Sequence, residues 1–358
     1  MADFDRHAQN SPEISLVNVL EPGENVVSVR SGTGAVLAEE APDGKISIPY
    51  SVWSEALTKS GEMAIYVYTD NHKAYLLSVT VADWIIHTTD DLKNWHLSNN
   101  DVVGSAGGDP AATKDYVVMA ADIDFEGAEY SQSVSIWLHQ FFFSGTFDGR
   151  GYAIKNVKVQ KTQSAVIAGK LTGGGVIRNL AMTGVILTGD DNGKLGFQGG
   201  IVDWVENGTI ENCYVEGQIV NDTEAIGRTV DARGLICSRI TNGTVRNCVA
   251  VLTNTDIANT EEPTGLYRAV LGNMLGVPTN SAAFQNCIAI GSLYGVCSQS
   301  GTSFSGPNGF TTPNADMSAV FEGIHAFASS AEFDSSLDLS FLNGKYWKKD
   351  GSIPTIGR

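Results

Sequence analysis

Two aspartates one residue apart, Asp122 and Asp124 in Asp-Ile-Asp-Phe, are the pair whose types and spacing come nearest to catalysis. Alternation along a strand puts both on one face, and paired carboxylates can act as acid and base in glycoside hydrolysis. A second candidate is cysteine: Cys213, Cys248 and Cys287 each follow an asparagine and recur at offsets of 35 and 39 residues. Stacked, they would form a metal or redox ladder, or else serve as small apolar fillers. Five cysteines without a C-x-x-C pair favour the filler reading over a disulfide framework or a structural zinc site. Asp190-Asp191-Asn192-Gly193 is rich in oxygen but lacks the regular alternation of a calcium loop. Histidines 7, 72, 87, 96, 139 and 325 show no metal-ligand spacing. Neither a nucleophile elbow nor a phosphate-binding glycine loop is present. The sequence therefore offers no support for a bound metal, a cofactor or nucleophilic catalysis.

Composition narrows the partners. The chain has 358 residues and a formal charge of −17, with 40 acids against 23 bases. Nucleic acid and anionic membrane need clustered Lys and Arg, and no such cluster occurs. No run approaches the roughly 18 to 20 apolar residues that span a bilayer. The start, Met1-Ala-Asp-Phe-Asp-Arg, carries acids where an export signal has a basic region, so the expectation is a soluble protein not secreted by the usual route. Glycine is abundant, at 39 residues, while proline is scarce, at 10, which suggests repeated tight turns between strands.

The elements that must carry these residues are β-strands. Residues 1–11 read as an N-terminal arm. Between 12 and 82, apolar runs (Ile14 to Leu20, Val26 to Arg30, Lys45 to Tyr50, Met63 to Thr69, Lys73 to Val81) alternate with turn chemistry such as Ala41-Pro-Asp-Gly. This spacing predicts an immunoglobulin-like β-sandwich. A helix with a Thr cap and Asp90 and Asp91 in its first turn is expected from Thr89, where it would cap the domain downstream.

From about residue 115 the chain repeats. Ile154-Lys-Asn-Val, Ile177-Arg-Asn-Leu, Ile210-Glu-Asn-Cys, Val245-Arg-Asn-Cys and Phe284-Gln-Asn-Cys share an apolar residue two positions before an asparagine. Gly199 to Cys213 aligns without gaps against Gly234 to Cys248. No single unit can bury its apolar face, but stacked units share one core, as in a right-handed parallel β-helix. Residues 83–342 are assigned to it with its capping helix, and the span from 115 to 340 would give about seven or eight rungs at roughly 30 residues each and about 4.8 Å apart. Asn156, Asn179, Asn212, Asn247 and Asn286 are expected to stack at one corner, each amide bonding the next rung. Asp148-Gly149 reads as a hairpin turn.

The variable segments fall at one repeat position, after the Asn strand and before the next Gly-led strand. They should gather on one lateral surface, often the binding face of a solenoid. That surface would carry Asp190, Asp191, Glu224, Arg228, Asp231, Asp256, Glu261, Glu262, Tyr267 and Arg268, a set suited to polar recognition of a glycan or partner subunit.

Phe143-Ser-Gly-Thr-Phe-Asp-Gly-Arg-Gly-Tyr-Ala-Ile-Lys-Asn-Val resembles the opening rung of GLUG-type β-helix repeat proteins, found in phage virions and on bacterial surface adhesins. Ile86-His-Thr-Thr-Asp-Asp-Leu is similar to the family's leading helix and Tyr116 to Phe125 to its first rung. Tyr346 to Ile356 resembles its closing strand, here 343–358. The Gly-Leu-x-Gly core of the family is altered to Gly234-Leu-Ile-Cys and Val270-Leu-Gly-Asn. The resemblance implies a structural role for Asp122 and Asp124. It also implies a virion protein, as tail spike, fibre or capsid decoration, attached to other virion proteins through its N-terminal domain and to a bacterial surface polysaccharide through its loops, with a homotrimer as the natural assembly. A polysaccharide depolymerase on the same fold and a bacterial surface adhesin are the competing readings.

Overall fold

The computed structural model describes residues 2–41, 44–99, 111–133, 140–160, 163–188, 196–220, 231–253, 270–272, 275–278, 284–291, 298–300, 303–305, 324–327, 329–350 and 352–358. The chain divides into two compact units, residues 1–85 with 115–118, and residues 86–114 with 119–358.

The first unit contains β1 (Asp3–Asp5), β2 (Glu13–Ser15), β3 (Val26–Ser31), β4 (Val36–Ala41), β5 (Lys45–Ser47), α1 (Tyr50–Ala56), β6 (Gly61–Thr69) and β7 (Ala74–Ala82). Five strands form one mixed sheet in the order β1-β7-β6-β3-β4, and β2 pairs with β5 separately. Residues 1–11 are therefore no free arm. Asp3, Phe4 and Asp5 pair in parallel with Thr80, Val81 and Ala82, and Phe4 is fully buried against Trp53. Alternation makes one sheet face apolar: Val29, Ile65, Val67 and Val79 point into a core shared with Leu16, Ile48 and Trp53. Helix α1 contributes Trp53 to that core, and all its residues but Tyr50 lie between two of the expected strands, in a stretch assigned no element.

The second unit is a parallel β-helix of about four turns built on four sheets. Sheet 1 stacks Thr146–Asp148, Val176–Arg178, Thr209–Glu211, Thr244–Arg246 and Phe284–Gln285. Sheet 2 stacks Ile123–Asp124, Ala153–Lys155, Ala181–Thr188, Tyr214–Val220, Val249–Leu252, Cys287–Ile290 and Ile324–Phe327. Sheet 3 holds Gln132–Ser133, Ser164–Ala165, Gly196–Gly199, Asp231–Gly234 and Val270–Gly272, and sheet 4 holds Phe142–Phe143, Ala168–Leu171, Val202–Glu206, Cys237–Thr241 and Leu275–Pro278. Among the described residues sheet 2 stacks seven strands, and the coil makes about four turns where seven or eight rungs were expected.

Inward positions form apolar ladders, such as Phe147, Ile177, Ile210, Val245 and Phe284 in direct register. The helix α2 (Thr89–Asn99) closes one end. Its cap is Thr88 rather than Thr89: Thr88 Oγ1 accepts from the Asp91 amide at 3.1 Å, and Asp91 Oδ2 accepts from the Thr88 amide at 2.9 Å. Trp95 then packs its ring against Phe141, Phe143 and Phe147 at 5.0, 5.4 and 5.7 Å between centroids.

Two connections differ from expectation. Asp148-Gly149 is a corner between sheets, since Thr146–Asp148 pairs in sheet 1 and Ala153–Lys155 in sheet 2. Residues 343–358 add no strand to the column. Trp347–Lys348 pairs antiparallel with Thr355–Ile356, and this hairpin packs with Leu342 against Ala181, Tyr214, Val249, Val251, Ile288 and Ile290 of sheet 2. The strands Val249–Leu252 and Cys287–Ile290 are apolar on both faces because both faces are covered.

Candidate functional site

Three long insertions leave the column between described strands of sheet 2 and sheet 3, while the expected one at 298–316 has no described sheet 3 strand beyond it. Four residues separate Val159 from Ser164, seven separate Thr188 from Gly196, ten separate Val220 from Asp231, and seventeen separate Leu252 from Val270. The strands on either side keep their register despite this growth, with Thr188 opposite Val220 and Gly196 opposite Asp231. The expected lateral surface thus has a fixed base. Of its predicted residues, Asp190, Asp191, Glu224, Arg228, Asp256, Glu261, Glu262, Tyr267 and Arg268 lie outside the described residues. Asp231 is placed by its backbone, as the first residue of a sheet 3 strand.

The base is polar and buried. Ser164, Gln198 and Arg233 occupy one register position on sheet 3, and Arg233 is 2% exposed while the other two are fully buried. Arg233 Nη1 donates to the Val220 carbonyl at 2.7 Å, across the mouth of the ten-residue insertion. Gln198 Nε2 donates to Val159 O at 3.4 Å, and Thr188 Oγ1 donates to the same carbonyl at 3.3 Å. Sequence reasoning missed this column. Its signal was a polar residue one place before each Gly-led corner, in Gln198-Gly199 and Arg233-Gly234.

The carboxylate pair shares an outward face, as alternation requires, with Ile123 buried between. Each acid is engaged separately. Asp122 accepts from Lys155 Nζ at 2.7 Å and from the Ala153 amide at 2.9 Å. Partial burial raises its pKa, but these bonds outweigh that and hold the carboxyl below its ordinary range. The Glu126 amide at 2.7 Å and Asn156 Nδ2 at 3.0 Å do the same for Asp124. Both are fixed as carboxylates, so neither is tuned to donate a proton.

Asn179, Asn212, Asn247 and Asn286 do stack at the corner from sheet 1 to sheet 2, each with φ between 51° and 54°. Asparagine tolerates this left-handed conformation better than most residues, which explains its recurrence. Asn156 shares the conformation but not the column. It lies at a bend within sheet 2, its amide bound to Asp124 and its neighbour in the next coil being Gly184. The side-chain bonds run toward the preceding coil, from Asn179 Nδ2 to Asp148 Oδ1 at 2.9 Å and from Asn286 Nδ2 to Asn247 Oδ1 at 3.4 Å. Asn212 Oδ1 is buried without a hydrogen-bond partner.

Cys213, Cys248 and Cys287 also stack, fully buried, and each thiol donates weakly to backbone carbonyls such as Glu211 O at 3.3 Å, Arg246 O at 3.2 Å and Gln285 O at 3.4 Å. Burial, and then the neighbouring thiols, push the Cys248 thiol well up, leaving it protonated. Among the described residues, no cluster of three or more His, Cys, Asp or Glu could hold a metal.

Two more ladders stiffen the column. On sheet 1, Asp148, Arg178, Glu211 and Arg246 are in direct register with alternating charge. Arg178 Nε donates to Asp148 Oδ2 at 2.9 Å, and Arg246 Nε to Glu211 Oε2 at 2.7 Å. On sheet 4, Lys170 Nζ lies 4.1 Å and the Arg239 guanidinium 4.6 Å from the Trp204 ring centroid. With a cation against it from each neighbouring coil, Trp204 is engaged in the stack itself. Beside it, burial pushes the Asp203 carboxyl up to about 6 against the pull of Arg239 and Ser238.

No family model matches the chain, and no solved structure matches it. A stretch of 92 residues is 35% identical to Halomucin of Haloquadratum walsbyi (strain DSM 16790 / HBSQ001), covering 25% of this chain and 1% of that protein. The chain therefore spans about one hundredth of the relative it matches. No described helix is long and apolar enough to cross a membrane.

Proposed function

We propose that the chain is a structural and adhesive component of a phage virion, a tail spike, fibre or capsid decoration that attaches the particle to a bacterial surface glycan. The observation that carries the adhesive part is the placement of three long insertions between sheet 2 and sheet 3 of a column whose sheets 1 and 4 carry side-chain ladders. A rigid scaffold presenting variable loops is the usual architecture of a recognition surface. The virion setting, and the finer reading of the coil as a right-handed GLUG-type β-helix, rest on the resemblance of residues 143–157 and 346–356 to those repeats.

In this reading the N-terminal unit, for which an immunoglobulin-like module was expected, docks to other virion proteins. The outward face of its mixed sheet supports that role. Leu76, Tyr66, Arg30 and Val36 lie in one row across β7, β6, β3 and β4, with Leu76 65% exposed, and Tyr68 stands beside them. Exposed tyrosine and arginine are enriched at the cores of protein interfaces. The test has two arms. The protein should be found in purified particles by mass spectrometry, and the isolated protein should bind members of a panel of purified lipopolysaccharides and capsular polysaccharides. Absence from the particles defeats the virion setting, and failure to bind any polysaccharide defeats the adhesive role.

A further inference from the structure

We infer that Arg358, Lys345 and Lys348 form a further binding site, for the carboxylates of an acidic polysaccharide, at the corner where sheet 1 passes into sheet 2. The corner, Gly149 to Tyr152, joins Thr146–Asp148 to Ala153–Lys155 and so lies at the opposite ends of the sheet 2 strands from the insertions. The site goes beyond the function proposed above and does not depend on it. Positive charge is concentrated there: residues 345–358 hold 4 of the 23 bases and 1 of the 40 acids, in a chain of formal charge −17. Elsewhere in the column neighbouring coils neutralise each other, as Lys155 with Asp122, Lys170 with Glu206 and Arg246 with Glu211.

The three tail cations are held by other means. Arg358 Nε donates to the Arg150 carbonyl at 3.2 Å and Nη1 to the Tyr152 hydroxyl at 2.5 Å, and the guanidinium carbon lies 4.5 Å from that ring's centroid. Lys345 Nζ lies 4.7 Å from the centroid of Tyr346, whose ring packs on Gly151, and Lys348 Nζ donates to Arg358 O at 2.9 Å. All three side chains belong to exposed residues, and among the described residues no Asp or Glu side chain pairs with them. Asp122 feels the charge of Lys348, but its oxygens are taken by Lys155 and the Ala153 amide. Uncharged oxygens and ring faces thus fix Arg358 and Lys345 without cancelling their charge, so the site is formed before a ligand arrives.

A carboxylate suits the geometry. Arg358 Nη2 has no partner among the described residues, which leaves the edge between Nη1 and Nη2 for a two-bond fork. A protein partner suits it less. Trp347 and Ile356 are buried beneath the patch, and the large exposed apolar side chains among the described residues, such as Leu76 and Leu97, lie elsewhere, so the apolar centre of a protein interface is missing. Duplex DNA, with a charge every ~1.7 Å, needs a longer row of cations and would meet the acidic remainder of the chain. An acidic polysaccharide spaces its carboxylates among neutral hydroxyls and needs only a few fixed cations.

The experiment titrates the full chain by calorimetry with alginate oligosaccharides, and with neutral dextran of equal length, at low and high salt. Alginate should bind, more weakly as salt rises, and dextran should not. Arg358→Gln should weaken alginate binding about tenfold by removing the charged fork. Arg358→Lys should recover only part of that, because it keeps the charge and loses the fork. If Arg358→Gln loosens the tail, seen as faster cleavage near Lys348, Lys345→Gln decides by the same titration, since it gives up only a ring contact. No alginate binding, equal binding by the folded variants, or equal binding of dextran overturns the inference. Duplex DNA bound as tightly as alginate overturns it in favour of an unselective polyanion surface, and a sedimenting dimer that Arg358→Gln abolishes overturns it in favour of a second copy of the chain. Binding to the lipopolysaccharide and capsular panel that survives Arg358→Gln belongs to the insertion edge, so the two readings fail separately.

Discussion

His96 Nε2 lies 2.8 Å from the carbonyl oxygen of Ile167, a residue 71 positions later in the chain. A carbonyl only accepts, so Nε2 carries the proton and Nδ1 accepts from the Tyr130 hydroxyl. Burial holds the ring neutral and pushes its pKa down to about 3 from 6.5. Below pH 6.5 the unfolded chain takes up a proton that the native state refuses. Stability from this group is thus complete above pH 6.5 and lost as pH falls toward 3, by about 1.4 kcal/mol per pH unit. His96→Phe should lower stability at pH 7 by about 1 to 3 kcal/mol through its lost hydrogen bonds, yet flatten the profile between pH 6.5 and 4. Denaturant melts across that range, followed by tryptophan fluorescence, check the slope.

The charged ladder on sheet 1 separates buried from exposed pairs. Asp148 is 6% exposed at its side chain, so Arg178→Ala strands a buried carboxylate and should cost about 1 to 3 kcal/mol. Arg246 is 48% exposed, and Glu211→Gln should cost under about 1 kcal/mol. Equal losses from the two substitutions would show that the ladder acts as a continuous network.

The repeat was legible because a parallel coil forces equivalent residues into register. The Asn corners, the stacked cysteines, the shared face of Asp122 and Asp124 and the common position of the insertions all follow from offsets read along the chain. Asn156 misled because any tight corner rewards a residue that tolerates positive φ, whichever sheet the corner joins. The hairpin around Trp347 was hidden for a different reason. Its partners Val249, Val251, Ile288 and Ile290 look like ordinary strand residues, and only their apolar character on both faces pointed to a cover. Arg233 and Gln198 escaped notice because a polar residue in a strand reads as solvated until its burial is seen.

The cysteine ladder makes a reactivity prediction. With Cys213, Cys237, Cys248 and Cys287 fully buried and the Cys248 thiol held protonated, none should react with an aromatic disulfide reagent in the native protein, and all four should react in denaturant. Rapid native labelling of Cys248, mapped by peptide mass, would instead mark the column as open at that level. Cys248→Ser should cost about 1 to 3 kcal/mol by replacing a weakly polar group with a hydroxyl in an apolar stack.

The outward face of the N-terminal sheet separates binding from stability. Tyr66→Ser with Leu76→Ser removes exposed side chains, so the melting profile should move by no more than about 0.5 kcal/mol per site. Incorporation into particles, measured by complementation with the doubly substituted gene, should fall sharply. Normal incorporation would move the docking surface elsewhere.

The cover over sheet 2 can be loosened at one atom. Gly151 sits at φ 81°, and a Cβ there would stand 2.6 Å from Tyr346 Cδ1, so alanine is opposed by its own backbone and by the ring. Gly151→Ala should push the Tyr346 ring outward, with the hairpin of Trp347–Lys348 and Thr355–Ile356 moving with it. Buried apolar positions such as Val249 and Ile288 would then meet water, at a cost of about 1 to 3 kcal/mol. The expected signs are increased binding of a hydrophobic dye and faster cleavage near Lys348 and Lys349, while the far-ultraviolet spectrum of the coil persists. Restoring room with Gly151→Ala and Tyr346→Ala together should relieve the clash but not the backbone strain, so the double variant separates the two contributions. Native dye binding and native cleavage in Gly151→Ala would mean that the tail is held by the coil's apolar face strongly enough to absorb the displacement.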